Sequence, residues 1–305
     1  MSVITIAVGA VLGLTWAVFS NKKTRKKREQ SPPSLYSTSE LDSLEVKPLQ
    51  PEEWGLFLNL PYSCFNGHAY NDYEPGPHDG GLKQAWGITN RYDLIYQLYI
   101  LITSGHTDAY YTLRDRVAYA DEYELEVLTQ EIKNSEDSEE NKREQLWQVE
   151  MMINNINGIR DVKYIAWDFT RFSKLCLDGC RAGYITKQEA QDWSLITTSM
   201  IKRIYSSWDD FWMSFVNTRW FWAATDTTWT EDQQDFADKI KEILADERFP
   251  TTQENWEMDL PSLNLDSFTR AVAGLGFTYE DGTPVSLPDI EARISYRLLP
   301  KSLNS

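Results

Sequence analysis

Apolar residues recur at three- and four-residue steps in one stretch after another between residues 89 and 246, and no comparable run alternates with period two. That spacing puts the apolar side chains on one face of a helix, so the chain is expected to be mainly α, a multi-helix bundle. One stripe runs through Leu94, Ile95, Leu98, Leu101 and Ile102, starting at Arg91; a second through Ile165, Phe169, Phe172 and Leu175 or Cys176; a third through Trp208, Phe211, Trp212, Phe215 and Val216. The 12 tryptophans fall largely in such patterns, so the cores should be aromatic. Capping signals place the helix starts. They are Thr89 or Asn90, the box Thr186-Lys-Gln-Glu189, Ser207 ahead of Asp210, and Thr230 ahead of Gln233. Further helices are expected over residues 108–120 and up to about Asn157, with the acidic residues 135–141 as a solvated connection. Gly179 and Gly183 are expected to break the helix that contains Asp168. A last short helix near residues 263–276 precedes a possible small C-terminal hairpin around Asp281-Gly282.

The first twenty residues are of another kind. Residues 3–19 carry no charge, about the minimum length for a membrane span, and Lys22, Lys23, Arg25, Lys26, Lys27 and Arg28 follow at once. That order predicts a single N-terminal transmembrane helix with the rest of the chain on the cytoplasmic side of the inner membrane. Within it Gly9 and Gly13 form a GxxxG, a candidate for self-association. The expected organisation is an anchor over 1–20, a basic then Ser/Pro-rich tether over 21–50, a helical domain over 51–246, and a C-terminal extension over 247–305 packed on it. Residues 21–30 contribute +5 to a net charge of −16, which leaves −21 on the remainder. A body that acidic would repel phosphate backbones, so no nucleic-acid partner is expected.

Three stripes each carry a charge: Asp168, Arg219 and Arg91, with Arg171 one turn beyond Asp168. An uncompensated charge in an aromatic core costs several kcal/mol, so these residues need partners. Two readings stay open. They form a buried network that fixes helix register, or surplus arginine around one aspartate makes an anion-binding or catalytic pocket. In the second, Asp168 is the candidate base, His106 in "SGHTD" the candidate acid–base group, and Arg91, Arg171 and Arg219 the anion clamp. His68 and His78 share a loop with Asp72, Glu74 and Asp79, but an H-x9-H spacing fits no zinc pattern, so no metal is expected. Cys176 and Cys180, one turn apart, read as small core residues. Neither a phosphate-binding glycine loop, a G-x-S-x-G elbow, an H-E-x-x-H pair nor a kinase set is present, and no cofactor is expected.

Several segments in order resemble a bacterial family, the domain of unknown function numbered 1266. They are Trp86-Gly87-Ile88 with Arg91, Gly105-His106, Trp167-Asp168 with Arg171, Gly183-Tyr184 with Glu189-Ala190, and Ser206-Ser207-Trp208 with Arg219. The resemblance covers about residues 82–224 and departs from the family pattern near Cys180. It implies a helical domain and brings no activity with it. Trp86 and Trp167, inside these segments, complete the candidate binding set. The expectation is a membrane-tethered module that binds a protein partner or a small anionic ligand; the alternative is a hydrolase or transferase acting on an anionic substrate through the Asp/Arg/His pocket.

Overall fold

The computed structural model describes residues 46–65, 68–75, 81–223, 229–279 and 281–298. The apolar run over 3–19, its GxxxG, the basic cluster, His78 and Asp79 lie outside the described residues. Among the described residues no helix is long and apolar enough to cross a membrane.

The described chain is mainly helical, and it divides into two compact units that interleave along the sequence. Unit 1 takes residues up to Ser104, Phe169–Arg203 and everything from Glu254; unit 2 takes Gly105–Asp168 and Ile204–Gln253. The helices are α1 Trp54–Phe57, α2 Leu60–Phe65, α3 Leu82–Trp86, α4 Arg91–Thr103, α5 Thr107–Tyr119, α6 Glu122–Asn134, α7 Glu139–Ile153 and α8 Ile165–Arg181. They continue with α9 Lys187–Ser194, α10 Thr198–Ile204, α11 Trp208–Ala223, α12 Trp229–Ala245, α13 Gln253–Glu257, α14 Asp266–Ala273 and α15 Leu287–Leu298.

Local chemistry sets the helix starts. The Asn90 side chain accepts from the Asp93 amide to open α4, Asp121 and Glu124 form a reciprocal capping box at α6, and Thr186 with Glu189 does the same at α9. Ser138 caps α7, so the solvated connection is shorter than residues 135–141 and the helix begins at Glu139. Asn155 and Asn157 take left-handed backbone angles, which stops α7 at Ile153, short of Asn157. Gly179 does not break α8. A Cβ there would sit 2.3 Å from Leu94 Cδ2, so this glycine lets α4 and α8 approach closely. The break falls at Gly183, with φ +75, where the Gly179 carbonyl accepts from the amides of Tyr184 and Ile185. Near the C-terminus, Thr278 and Pro284 form an isolated antiparallel bridge around Asp281-Gly282.

The core of unit 1 is built as much by the chain's flanks as by its middle. Trp54 is fully buried against Trp256 and donates its indole N–H to the Asn255 carbonyl at 3.0 Å. Ser173 Oγ donates to the Gly55 carbonyl at 2.7 Å, and a Cβ on Gly55 would lie 2.4 Å from the Ser194 backbone. Phe268 of α14 packs edge-on against both Phe172 and Trp193. In unit 2, Tyr164 stacks on Tyr110 at 4.4 Å, Trp208 on Trp212 at 5.3 Å, and Phe215 meets Phe236 at 6.0 Å. The aromatic cores expected from the tryptophan content are present in both units.

Candidate functional site

The residues singled out by the sequence sort into two joints, one in each unit. In unit 2 the joint is at the start of α5. The first amides of a helix have no acceptor within it, and here the His106 side chain makes no capping bond. The acceptor arrives from α8 instead. The His106 amide donates to both oxygens of Asp168 at 3.0 Å, the Thr107 amide to Oδ2 at 3.0 Å, and the Thr107 hydroxyl to Oδ2 at 2.5 Å. Asp168 is 1% exposed, so its charge is met by aligned donors rather than by water. Gly105 completes the joint. Its φ is +47, and a Cβ would stand 2.1 Å from Asp168 Oδ2. Only a glycine lets the chain turn this close to the carboxylate.

The His106 imidazole lies beside this cap. Its Nδ1 is 3.7 Å from Asp168 Oδ1, too long for a hydrogen bond, and its ring meets Trp222 edge-on at 5.6 Å. Trp222 in turn meets Trp167 at 5.2 Å, Trp167 stacks on Phe215, and the Arg219 guanidinium sits 4.4 Å from the ring of Phe236. Unit 2 thus gathers Asp168, His106 and Trp167 in one aromatic neighbourhood, with Arg219 at its far side.

The second joint is in unit 1, and it corrects the stripe reading of Arg91. As the first residue of α4, Arg91 projects out of the helix start rather than into the core, and its side chain is 44% exposed. It makes a two-pronged bond to Glu189, Nη1 to Oε2 at 3.0 Å and Nη2 to Oε1 at 2.6 Å, and Nη1 also donates to the Tyr184 carbonyl. Glu189 is the acid of the α9 capping box, so one carboxylate serves both a helix start and an arginine. Burial pushes this carboxyl up, but the Arg91 hydrogen bonds, the Thr186 amide and the Arg91 charge outweigh it and hold Glu189 below its usual value. Arg171, 4% exposed, places its guanidinium 5.7 Å from the ring of Trp86. Arg91 and Arg171 therefore belong to unit 1, whereas Asp168, His106 and Arg219 belong to unit 2.

Sequence reasoning missed a further set on α8. Lys174, Asp178 and Arg181 share a stripe; the first two are buried and form an ion pair, and Arg181 bonds Asp72. The Lys-x-x-x-Asp spacing signals the first pair, while nothing local points to Asp72. Among the described residues no group of three or more His, Cys, Asp or Glu could hold a metal ion. Burial raises the thiols of Cys176 and Cys180, which leaves both poor nucleophiles at neutral pH.

Residues 81–257, more than half of the 305, match the model of a family described as "protein of unknown function (DUF1266)". The chain belongs to the DUF1266 family. Both joints lie inside the DUF1266 match, and so does α12, which the sequence resemblance had left out by ending near residue 224. Segments 46–65 and 68–75 and helices α14 and α15 lie outside it, although they contribute to the core of unit 1. No curated protein and no solved structure matches the chain.

Proposed function

We propose that this chain is a binding module without catalytic turnover, tethered to the inner membrane through residues 3–19 with its helical body in the cytoplasm, and that it takes a protein partner or a small anionic ligand. The observation that carries the non-catalytic reading is the commitment of Asp168. Four hydrogen bonds reach it from donors at the start of α5. A base must give up such bonds to accept a proton, and here that would uncap a helix. Arg91 is committed in the same way to Glu189, so the anion clamp of the alternative hydrolase or transferase loses a member. Support for the tether is the uncharged run followed by six basic residues.

The test is the unfolding of the full-length chain in neutral detergent, wild type against Asp168→Asn. The amide keeps the shape but turns a donor toward the His106 and Thr107 donors. A module built on this cap loses stability, whereas a chain that keeps the charge for chemistry is unchanged or gains. Membrane association of the chain lacking residues 3–19 tests the tether; retention in the membrane fraction would overturn it.

A further inference from the structure

Away from the two joints, a set of titratable groups lies along α8 in unit 1. Lys174, Asp178 and Arg181 stand at i, i+4 and i+7 and so share one stripe. Lys174 Nζ pairs with Asp178 and lies 5.8 Å from the ring of Tyr62. One turn on, the Arg181 side chain is 10% exposed, and its Nη1 donates to Asp72 Oδ2 at 2.5 Å and to the Asp72 carbonyl at 3.0 Å. His68 is half-buried in the field of this stripe. Burial first, then the Arg181 and Lys174 charges, hold its imidazole below the usual value against the opposing effects of the Ala69 carbonyl and Asp178. At neutral pH it is an uncharged hydrogen-bonding ring beside two cations.

The carboxylate on Arg181 comes from chain of a different kind. Segment 68–75 forms no helix or strand. It is held down through Glu53, which accepts from Asn71 Nδ2 at 3.0 Å and from the Tyr73 hydroxyl at 3.1 Å, while Gln191 Nε2 donates to that same hydroxyl. These ties flank Asp72, whose own Oδ1 accepts from the Glu74 amide at 3.1 Å while Oδ2 meets Arg181. The segment lies before the family match, whereas α8 lies inside it. So the family helix supplies the guanidinium and the chain's own flank supplies the anion. The Asp72 side chain is 35% exposed against 10% for Arg181, so the anion is the half of the pair that can leave. Asp72 engages Arg181 through Nη1 alone, and a guanidinium can donate equally to an oxygen of a phosphate or of another carboxylate.

We propose that Arg181 is an anion subsite of phosphate or carboxylate type, that Asp72 occupies it as an internal stand-in, and that an external anion enters by displacing the Asp72 side chain. The proposal rests on the binding-module reading and names its ligand class. Lys174, two turns back on the same stripe, is already neutralised by Asp178, so Arg181 is the cation that the anion meets.

The experiment is calorimetric titration of the full-length chain in neutral detergent with inorganic phosphate at constant ionic strength, and with malonate in a parallel arm. Wild type is compared with Asp72→Asn and with Asp72→Asn/Arg181→Gln. Removing the internal competitor is expected to tighten binding of at least one of the two anions roughly tenfold or more, the scale of a charge-assisted hydrogen bond, and the second substitution to abolish the gain. Equal affinities for wild type and Asp72→Asn in both arms, or a gain that survives Arg181→Gln, would overturn the proposal. Asp72→Ser, which keeps a small hydrogen-bonding side chain, serves as an independent single variant with the same expectation. Turnover of a substrate would sink the module reading and leave this titration intact; equal affinities would sink the subsite and leave the module reading intact.

Discussion

Two carboxylates in this molecule do the same job in different surroundings. Asp168 and Glu189 each bring an acid from one family segment to a helix start, and each ties that segment to another. Asp168 is 1% exposed and meets backbone donors that have no acceptor within their own helix. Glu189 is 21% exposed and meets an arginine that is 44% exposed, so water can replace either partner. A buried cap cannot be traded for solvent and a surface pair can, so residue type alone does not rank the two joints. Burial of the groups left behind does.

The largest test of that contrast is Gly105→Ala. A Cβ at 2.1 Å from the Asp168 carboxylate, on a backbone with positive φ, should cost at least about 3 kcal/mol in urea unfolding. A neutral result would show that the cap is soft. Next comes Asp168→Asn, expected to lose about 2–4 kcal/mol and to speed hydrogen exchange along α5, because the amide keeps one acceptor oxygen and sets an N–H against donors that shared two. Arg91→Ala should cost about 0.5–1 kcal/mol, and less at high salt; a loss as large as that of Asp168→Asn would erase the distinction. The smallest effect is in pH. Glu189 is held below its unfolded value, so its contribution is fully present above about pH 4.5 and is lost as pH falls through the folded value. Glu189→Gln should flatten that part of the acid unfolding profile.

Much of this architecture is legible in the sequence. The capping residues at Asn90, Thr186 and Ser207 and the stripes of α4, α8 and α11 follow from short-range chemistry. The buried place of Asp168 follows too, since a stripe position fixes a face. The partners do not. Thr107 lies 61 residues from Asp168 and Glu189 lies 98 from Arg91, distances at which no local pattern reports. Arg91 was misplaced because a stripe extrapolated to the first residue of a helix ignores the outward splay of that turn. Gly179 was misread because a glycine needed for close packing looks, in one dimension, like a glycine that ends a helix. Asp72 on Arg181 was out of reach, as it joins an irregular segment to a helix more than 100 residues on.

The interleaving of the two units bears on how the chain is made. A ribosome delivers the last piece of unit 2, which ends at Gln253, before α14 and α15 exist. Unit 2 therefore has its whole sequence while unit 1 still lacks Phe268, Ile290 and Ile294 of its core. At about 5–20 residues per second that gap lasts some seconds, during which Trp193 and Phe172 wait without the ring that will cover them. A nascent chain stalled just past unit 2 would leave those apolar faces open to water.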